Sequence, residues 1–187
     1  KIMIVLNSAW NLYNFRAGLI KAFVEEGYEV ISLAPPGDYA QQVENMGSRF
    51  VPVPMNRGGT NPWHDLRLFV RFLRILRREK PTVVLPYTVK PNIYCSLAAH
   101  FLGIPVINNI AGLGSIFIEP TWLTSVVRKL YEVSLGRSKK IFFQNEDDRI
   151  LFDKFRIGSI AKTDRLPGSG VNLTKYHPRK ALMTPGF

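Results

Sequence analysis

The chain has 187 residues, 46% of them hydrophobic, which suits one domain with a sizeable core and excludes wholesale disorder. It carries 25 Lys and Arg against 14 Asp and Glu, a formal net charge of +11, so polyanions, membrane surfaces and phosphorylated ligands are the partners to expect. The lone cysteine, Cys95, excludes an intrachain disulfide and fits a reducing, cytosolic compartment, and the scattered His64, His100 and His177 lack metal-ligand spacing.

In chain order, residues 2–6 read as a buried strand and an amphipathic stretch follows over 12–26, ended by Gly27. A second strand is expected over 28–33, and Pro35, Pro36 and Gly37 break the chain after it. A short helix over 38–46 stops at Gly47, and a third strand covers 49–53. Pro62 opens a long helix that runs to Glu79, and a fourth strand covers 83–85. A helix over 92–102, a strand over 105–109, a helix over 122–135, a strand over 139–143 and a helix over 147–155 complete the pattern, with a weak last strand before Leu166. No apolar run reaches the ~18 residues of a membrane span, and no signal peptide is visible. The chain starts at Lys1 directly in a strand-like run, which reads as a trimmed or engineered fragment.

Strands separated by helices of this length imply βαβ units. The expected fold class is α/β: a Rossmann-like three-layer domain with a mostly parallel sheet of about seven strands. Ligands in such sheets sit outside the carboxyl ends of the strands. That rule selects the loops 7–16, 34–37, 54–61, 86–92 and 109–115.

The first loop, Asn7-Ser-Ala-Trp-Asn-Leu-Tyr-Asn-Phe-Arg16, lacks a GxGxxG dinucleotide fingerprint, so no nicotinamide or flavin cofactor is expected. Its amides and aromatics suit hydroxyl-rich ligands, although an ordinary amphipathic helix start explains them equally well. In Arg57-Gly-Gly-Thr60, glycines allow close backbone approach and Arg57 can grip a phosphate or carboxylate; the alternative is a strand-to-helix turn capped by Thr60 or Asn61. Lys90 points to an anionic group after the fourth strand, beside Thr88, unless Pro91 and Asn92 simply start a helix. Asn108, Asn109, Gly112 and Gly114 either line the cleft with amides and free backbone N–H groups or form a plain glycine turn. Gln144 and Asn145 end the sixth strand similarly, with helix capping by Asn145 as the competing role.

The helix over 62–79 is strongly basic. At 100° per residue Arg67, Arg71, Arg74 and Arg78 fall within an arc of about 60°, opposite Phe69, Phe72, Leu73 and Leu76. Such a stripe either rests on an anionic bilayer or forms the solvated face of a core-packed helix. A weaker basic group comprises Arg128, Lys129, Arg137, Lys139 and Lys140. No helix-turn-helix, RNP or zinc-finger pattern supports nucleic acid as the polyanion.

Five segments together resemble one family. They are Asn56-Arg-Gly-Gly-Thr-Asn-Pro62, Tyr87-Thr-Val-Lys-Pro-Asn-Ile-Tyr94, Asn108-Asn-Ile-Ala-Gly-Leu-Gly114, Phe143-Gln-Asn-Glu-Asp-Asp-Arg149 and Leu166-Pro-Gly-Ser-Gly-Val-Asn172. In this order, spread over nearly the whole chain, they resemble bacterial glycosyltransferases of family four, in the branch that builds capsular polysaccharide, O-antigen, lipopolysaccharide and other lipid-linked glycans. The resemblance implies the N-terminal, acceptor-binding half of a GT-B fold. It implies sugar transfer with retention from a nucleotide-sugar, typically a UDP-sugar, without a metal or other cofactor. The implied acceptor is polyprenyl-diphosphate-linked or a polysaccharide, met at the cytoplasmic face of the membrane by peripheral contact.

On this reading residues 1–168 form the domain. Residues 169–187 form a linker to a C-terminal nucleotide-sugar-binding domain that the chain lacks, so the fragment alone is expected to be inactive. Asn7, Arg16, Arg57, Gly58, Gly59, Thr60, Thr88, Lys90, Asn109, Gly112, Gly114, Gln144 and Asn145 are the candidate acceptor- or donor-phosphate-binding residues, and no catalytic base is assigned. Arg67, Arg71, Arg74 and Arg78 are the candidate membrane-facing residues. Two departures stand out: many relatives carry His where this chain has Ala111, and often Asp where it has Asn172. The rival readings are a non-catalytic Rossmann-like module that recruits a partner to the membrane, and a complete small enzyme acting on a phosphorylated metabolite.

Overall fold

A computed structural model describes residues 1–56, 61–112, 122–158, 162–170 and 173. Along them run β1 (Ile2–Val5), α1 (Ala9–Phe15), α2 (Ala17–Glu25), β2 (Val30–Ala34), α3 (Ala40–Glu44), β3 (Arg49–Pro52) and α4 (Pro62–Glu79). After these come β4 (Val83–Pro86), a π-helical turn (Pro91–Cys95), α5 (Ser96–Phe101), β5 (Ile107–Ile110), α6 (Trp122–Leu135), β6 (Lys140–Phe143), α7 (Glu146–Lys154) and β7 (Thr163–Arg165).

Every registered strand pair is parallel. The strands order as β3-β2-β1-β4 and β5-β6-β7. Parallel bridges Val84–Val106 and Tyr87–Asn109 connect β4 to β5, and the Val84 amide donates to the Pro105 carbonyl at 3.0 Å. The expected parallel sheet of seven strands is present, in two segments joined at β4 and β5.

The pleat of β1 sorts the core into layers. Ile2 and Ile4 pack with Leu12 of α1, Ile20 of α2 and Val43 of α3. Met3 and Val5 point the other way, onto Leu68, Phe72 and Leu76 of α4 and Ala98 and Ala99 of α5. Cys95 is buried completely in that second layer. Alternation by one residue therefore places helices on both faces, as the strand period requires. A third core joins Val127, Tyr131 and Leu135 of α6 to Phe143 of β6 and Phe152 of α7.

Two elements differ from expectation. The stretch over 12–26 is two helices, broken at Arg16 with φ −126° and ψ 3°. The helix expected over 92–102 begins as the wider π turn and tightens to an α-helix at Ser96. The α4 boundaries match the sequence. Asn61, rather than Thr60, caps it by accepting from the Trp63 and His64 amides, and Lys80 ends it in the left-handed conformation.

Candidate functional site

The site follows from strand order. β1 has β2 on one side and β4 on the other. The chain leaves these neighbouring strands in opposite directions, which opens a crevice at their carboxyl ends. A cleft of about 260 Å³ lies there, lined by Asn7, Asn56, Thr88, Val89, Lys90, Ala111 and Gly112. Three sequence-predicted residues reach it at the ends of β1 and β4, namely Asn7, Thr88 and Lys90, and Gly112 closes it after β5.

The backbone here is unusual. Thr88 is β-branched yet adopts φ 61°, a left-handed conformation that costs roughly 1–2 kcal/mol. Its hydroxyl donates to the Tyr87 carbonyl, which offsets part of that cost. The π turn begins three residues later. Strained residues and π turns concentrate where a fold positions ligands.

Asn108 and Asn109 take opposite sides of β5. Asn108 turns into the core: its Nδ2 donates to Asn92 Oδ1 and Ser96 Oγ, both at 2.9 Å, and its Oδ1 accepts from Ser138 Oγ at 2.6 Å. It builds the scaffold and does not line the cleft, contrary to expectation, because adjacent strand residues face opposite ways. Asn109, also expected in the cleft, is not in its lining: it is buried at 5% exposure, and among the described residues its Oδ1 has no hydrogen-bond partner.

Lys90 has a protein partner. Its Nζ donates to Asp65 Oδ1 at 2.8 Å, and the Tyr94 hydroxyl donates to Asp65 Oδ2 at 2.9 Å. Burial, reinforced by that carboxylate, pushes the Tyr94 phenol far up, so it remains a donor. The cleft therefore presents amides, a hydroxyl and a compensated ammonium, a set suited to neutral hydroxyl-bearing ligands.

Next to it, a groove of about 250 Å³ runs between residues 54–56 and the first turns of α4, with His64, Asp65, Arg67, Arg71 and Lys90 in its walls. Arg71 spans this wall and donates to the Pro54 carbonyl at 2.9 Å.

The outer face of α4 is exposed at Arg67, Arg71, Arg74 and Arg78, while Leu68, Phe72 and Leu76 are buried. Trp63, 72% exposed, extends that face toward the helix start, and Leu66, 52% exposed, lies on its flank. Arg78 is less free than its neighbours, since its Nε donates to Glu79 Oε1 at 2.9 Å. Arg49 and Arg78 together hold the buried Glu79 carboxyl below its usual range. Two of the weaker basic group are ion-paired, Lys129 with Glu132 and Lys140 with Asp164, while Arg128 lies over the Phe155 ring with its charge uncompensated by that contact.

Other predicted residues lie elsewhere. Arg16 is buried and is not in the lining of the cleft. Its guanidinium stacks 4.1 Å from the Tyr87 ring centroid and donates to Ser169 Oγ at 2.7 Å. Burial lowers its pKa from the ordinary value, opposed by Tyr87. Asn145 caps α7 by accepting from the Asp148 amide at 2.7 Å. The Gln144 amide continues the sheet by donating to the Ile110 carbonyl. Arg57, Gly58, Gly59, Thr60 and Gly114 lie outside the described residues. Sequence reasoning missed Asp65, Asn56 and His64. Asp65 had a signal: it is the first carboxylate of a helix otherwise filled with arginine. Among the described residues, no group of three or more His, Cys, Asp or Glu is placed to hold a metal.

A parallel α/β domain with an amide-lined cleft at its topological switch point defines a Rossmann-like domain. The glycosyl transferase 4-like domain model matches residues 15–156. The chain is 25% identical over 173 residues to the N,N'-diacetylbacillosaminyl-diphospho-undecaprenol alpha-1,3-N-acetylgalactosaminyltransferase of Campylobacter jejuni, covering 90% of this chain and 46% of that protein. Its fold is similar to a glycosyltransferase from Rickettsia africae, with a TM-score of 0.68 and 18% identity over 98% of this chain and 46% of the other. It is also similar to a UDP-GlcNAc 2-epimerase from Neisseria meningitidis bound to UDP-GlcNAc, with a TM-score of 0.60 and 19% identity over 87% and 45%. The chain thus spans about half the length of these relatives. It belongs to the glycosyl transferase 4-like family.

Proposed function

We propose that this chain is the acceptor-binding domain of a retaining GT-B glycosyltransferase. The whole enzyme moves a sugar from a nucleotide-sugar, typically a UDP-sugar, to a lipid-linked acceptor in cell-surface glycan assembly. The observation that carries this reading is the family match over residues 15–156, which includes the cleft residues at the ends of β4 and β5. The Campylobacter relative is named for a diphospho-undecaprenol-linked acceptor, and an acceptor of that class is proposed here. The donor is held by a second domain joined after the segment 166–170.

Within this chain, the residues bind and orient. Asn7, Asn56 and Thr88 offer donors and acceptors to acceptor hydroxyls. Lys90, held by Asp65, fixes the mouth of the cleft. The longer chain, given UDP-sugars and an undecaprenyl-diphosphate-linked sugar, is expected to extend the lipid-linked sugar, and the 187-residue chain is expected not to. Conversion of UDP-GlcNAc without an acceptor would instead assign epimerisation, which the fold also supports.

The basic face of α4 is proposed to lie on the cytoplasmic surface of the membrane, with Trp63 at its leading end and Leu66 on its flank. Among the described residues no helix is long and apolar enough to cross a membrane, so a peripheral contact is the form considered. Each Arg near an anionic surface contributes about 1 kcal/mol. The triple change Arg67→Glu, Arg71→Glu and Arg74→Glu is therefore expected to weaken binding to phosphatidylglycerol vesicles by roughly 100-fold or more. Sedimentation with vesicles measures this, and unchanged binding leaves only a solvated face.

A further inference from the structure

Arg16 lies outside the cleft lining, yet the fold buries it. It interrupts a helical stretch between α1 and α2, although neither flanking residue, Phe15 or Ala17, is a glycine or proline. Only 8% of the residue remains exposed. Among the described residues no carboxylate pairs with it, and its Nε has no hydrogen-bond partner. A buried, unneutralised guanidinium is destabilising by itself. The Tyr87 ring, 4.1 Å away, offsets part of that cost.

The polar contacts of Arg16 show what the burial achieves. Its Nη1 donates to the adjacent Phe15 carbonyl at 3.0 Å and to Ser169 Oγ at 2.7 Å, 153 residues along the chain. Ser169 belongs to the segment that follows β7. Leu166 fastens the start of that segment by donating its amide to the Phe143 carbonyl at the end of β6. Ser169 then meets Arg16 beside Tyr87, the residue after β4. The segment thus turns back from the β7 edge past the ends of β6 and β5. Residues 166–170 are exposed, so burial does not hold them on this course. Gly168 and Gly170 flank Ser169 with φ 64° and 69°. A Cβ at either would meet open space, so it is the backbone conformation that calls for glycine there.

We propose that Arg16 and Ser169 form a latch, a positioning contact that sets the direction in which the chain leaves this domain. Resting on the proposed function, the latch aims the donor-holding second domain at the cleft. Tyr87 joins the two places: its ring carries Arg16, and its carbonyl accepts the hydroxyl of Thr88, which lines the cleft. The exit course of the chain is thereby fixed against the same strand end that positions the cleft wall.

Backbone amide relaxation of the 187-residue chain, measured by NMR, tests the latch. Order parameters at Gly168, Ser169 and Gly170 are expected near the roughly 0.85 of rigid backbone, and below about 0.6 in Ser169→Ala. Thermal unfolding of that variant is expected to stay unchanged, because Ser169 is exposed. Ser169→Thr retains a hydroxyl and is expected to keep the segment rigid. Arg16→Met is expected to match Ser169→Ala, and the double variant to add nothing further, as a shared contact requires. A segment that stays rigid in Ser169→Ala, or is already mobile in the unaltered chain, overturns the latch. In the longer chain, Ser169→Ala is expected to lower kcat for sugar transfer roughly tenfold or more with the acceptor KM unchanged, since small misplacements of reactants are costly. Ser169→Thr is expected to restore kcat. A loosened segment with unchanged kcat overturns the aiming role alone. Absence of transfer by the unaltered longer chain would defeat the proposed function and the aiming role with it, while the latch itself stands or falls on the order parameters.

Discussion

Asn108→Ala is expected to lower the unfolding free energy by about 3–5 kcal/mol, read from urea denaturation. Asn108 is fully buried and joins three elements at once, through Asn92 in the π turn, Ser96 at the start of α5 and Ser138 before β6. Truncation removes three hydrogen bonds and leaves buried oxygens at all three neighbours. Each such group costs about 1–3 kcal/mol, and relaxation of the serine hydroxyls lowers the sum. The effect extends to the cleft, because Asn92 also donates to the Asn109 carbonyl at 3.0 Å and so holds the end of β5. A loss under 1 kcal/mol would show that other contacts fasten β5 to the π turn.

The second large effect lies at Asp65. Asp65→Ala is expected to destabilise the fold by about 2–4 kcal/mol, since breaking a mostly buried ion pair strands the remaining charge. Lys90 keeps 15% side-chain exposure, so part of its hydration is recovered and the upper end of that range is not reached. Tyr94 loses its acceptor as well. Adding Lys90→Met to Asp65→Ala is expected to recover more than half of the loss, because an unbranched apolar chain replaces the stranded ammonium. A double-mutant cycle in urea measures the coupling. Additive losses would mean that the pair is not coupled.

Much of the fold was legible because its signals are local. Asn61 and Pro62 set the start of α4, and its spacing of apolar residues set the buried face. The alternation of short β-rich runs with helical stretches gave the parallel class. What escaped was decided by partners distant in sequence. The periodicity over 12–26 is helical throughout, yet Arg16 breaks it where its guanidinium reaches Tyr87 and Ser169. The neighbouring asparagines of β5 look alike in sequence, and only the strand's orientation in the sheet separates Asn108 from Asn109. Lys90 was read as a free cation because Asp65 lies 25 residues away. At the site, residue types were legible and the pairing of Lys90 with Asp65 was not.

The burial of Cys95 has a practical consequence. It is the only sulfhydryl in the chain, it has no exposed surface, and burial pushes its thiol far above the ordinary range. A thiol that stays protonated and covered does not react with alkylating reagents at neutral pH. The protein therefore has a blank background for labelling. One cysteine introduced on the outer face of α4, and another beside the 166–170 segment, would carry a fluorophore pair with no competing attachment point, turning the domain into a distance gauge.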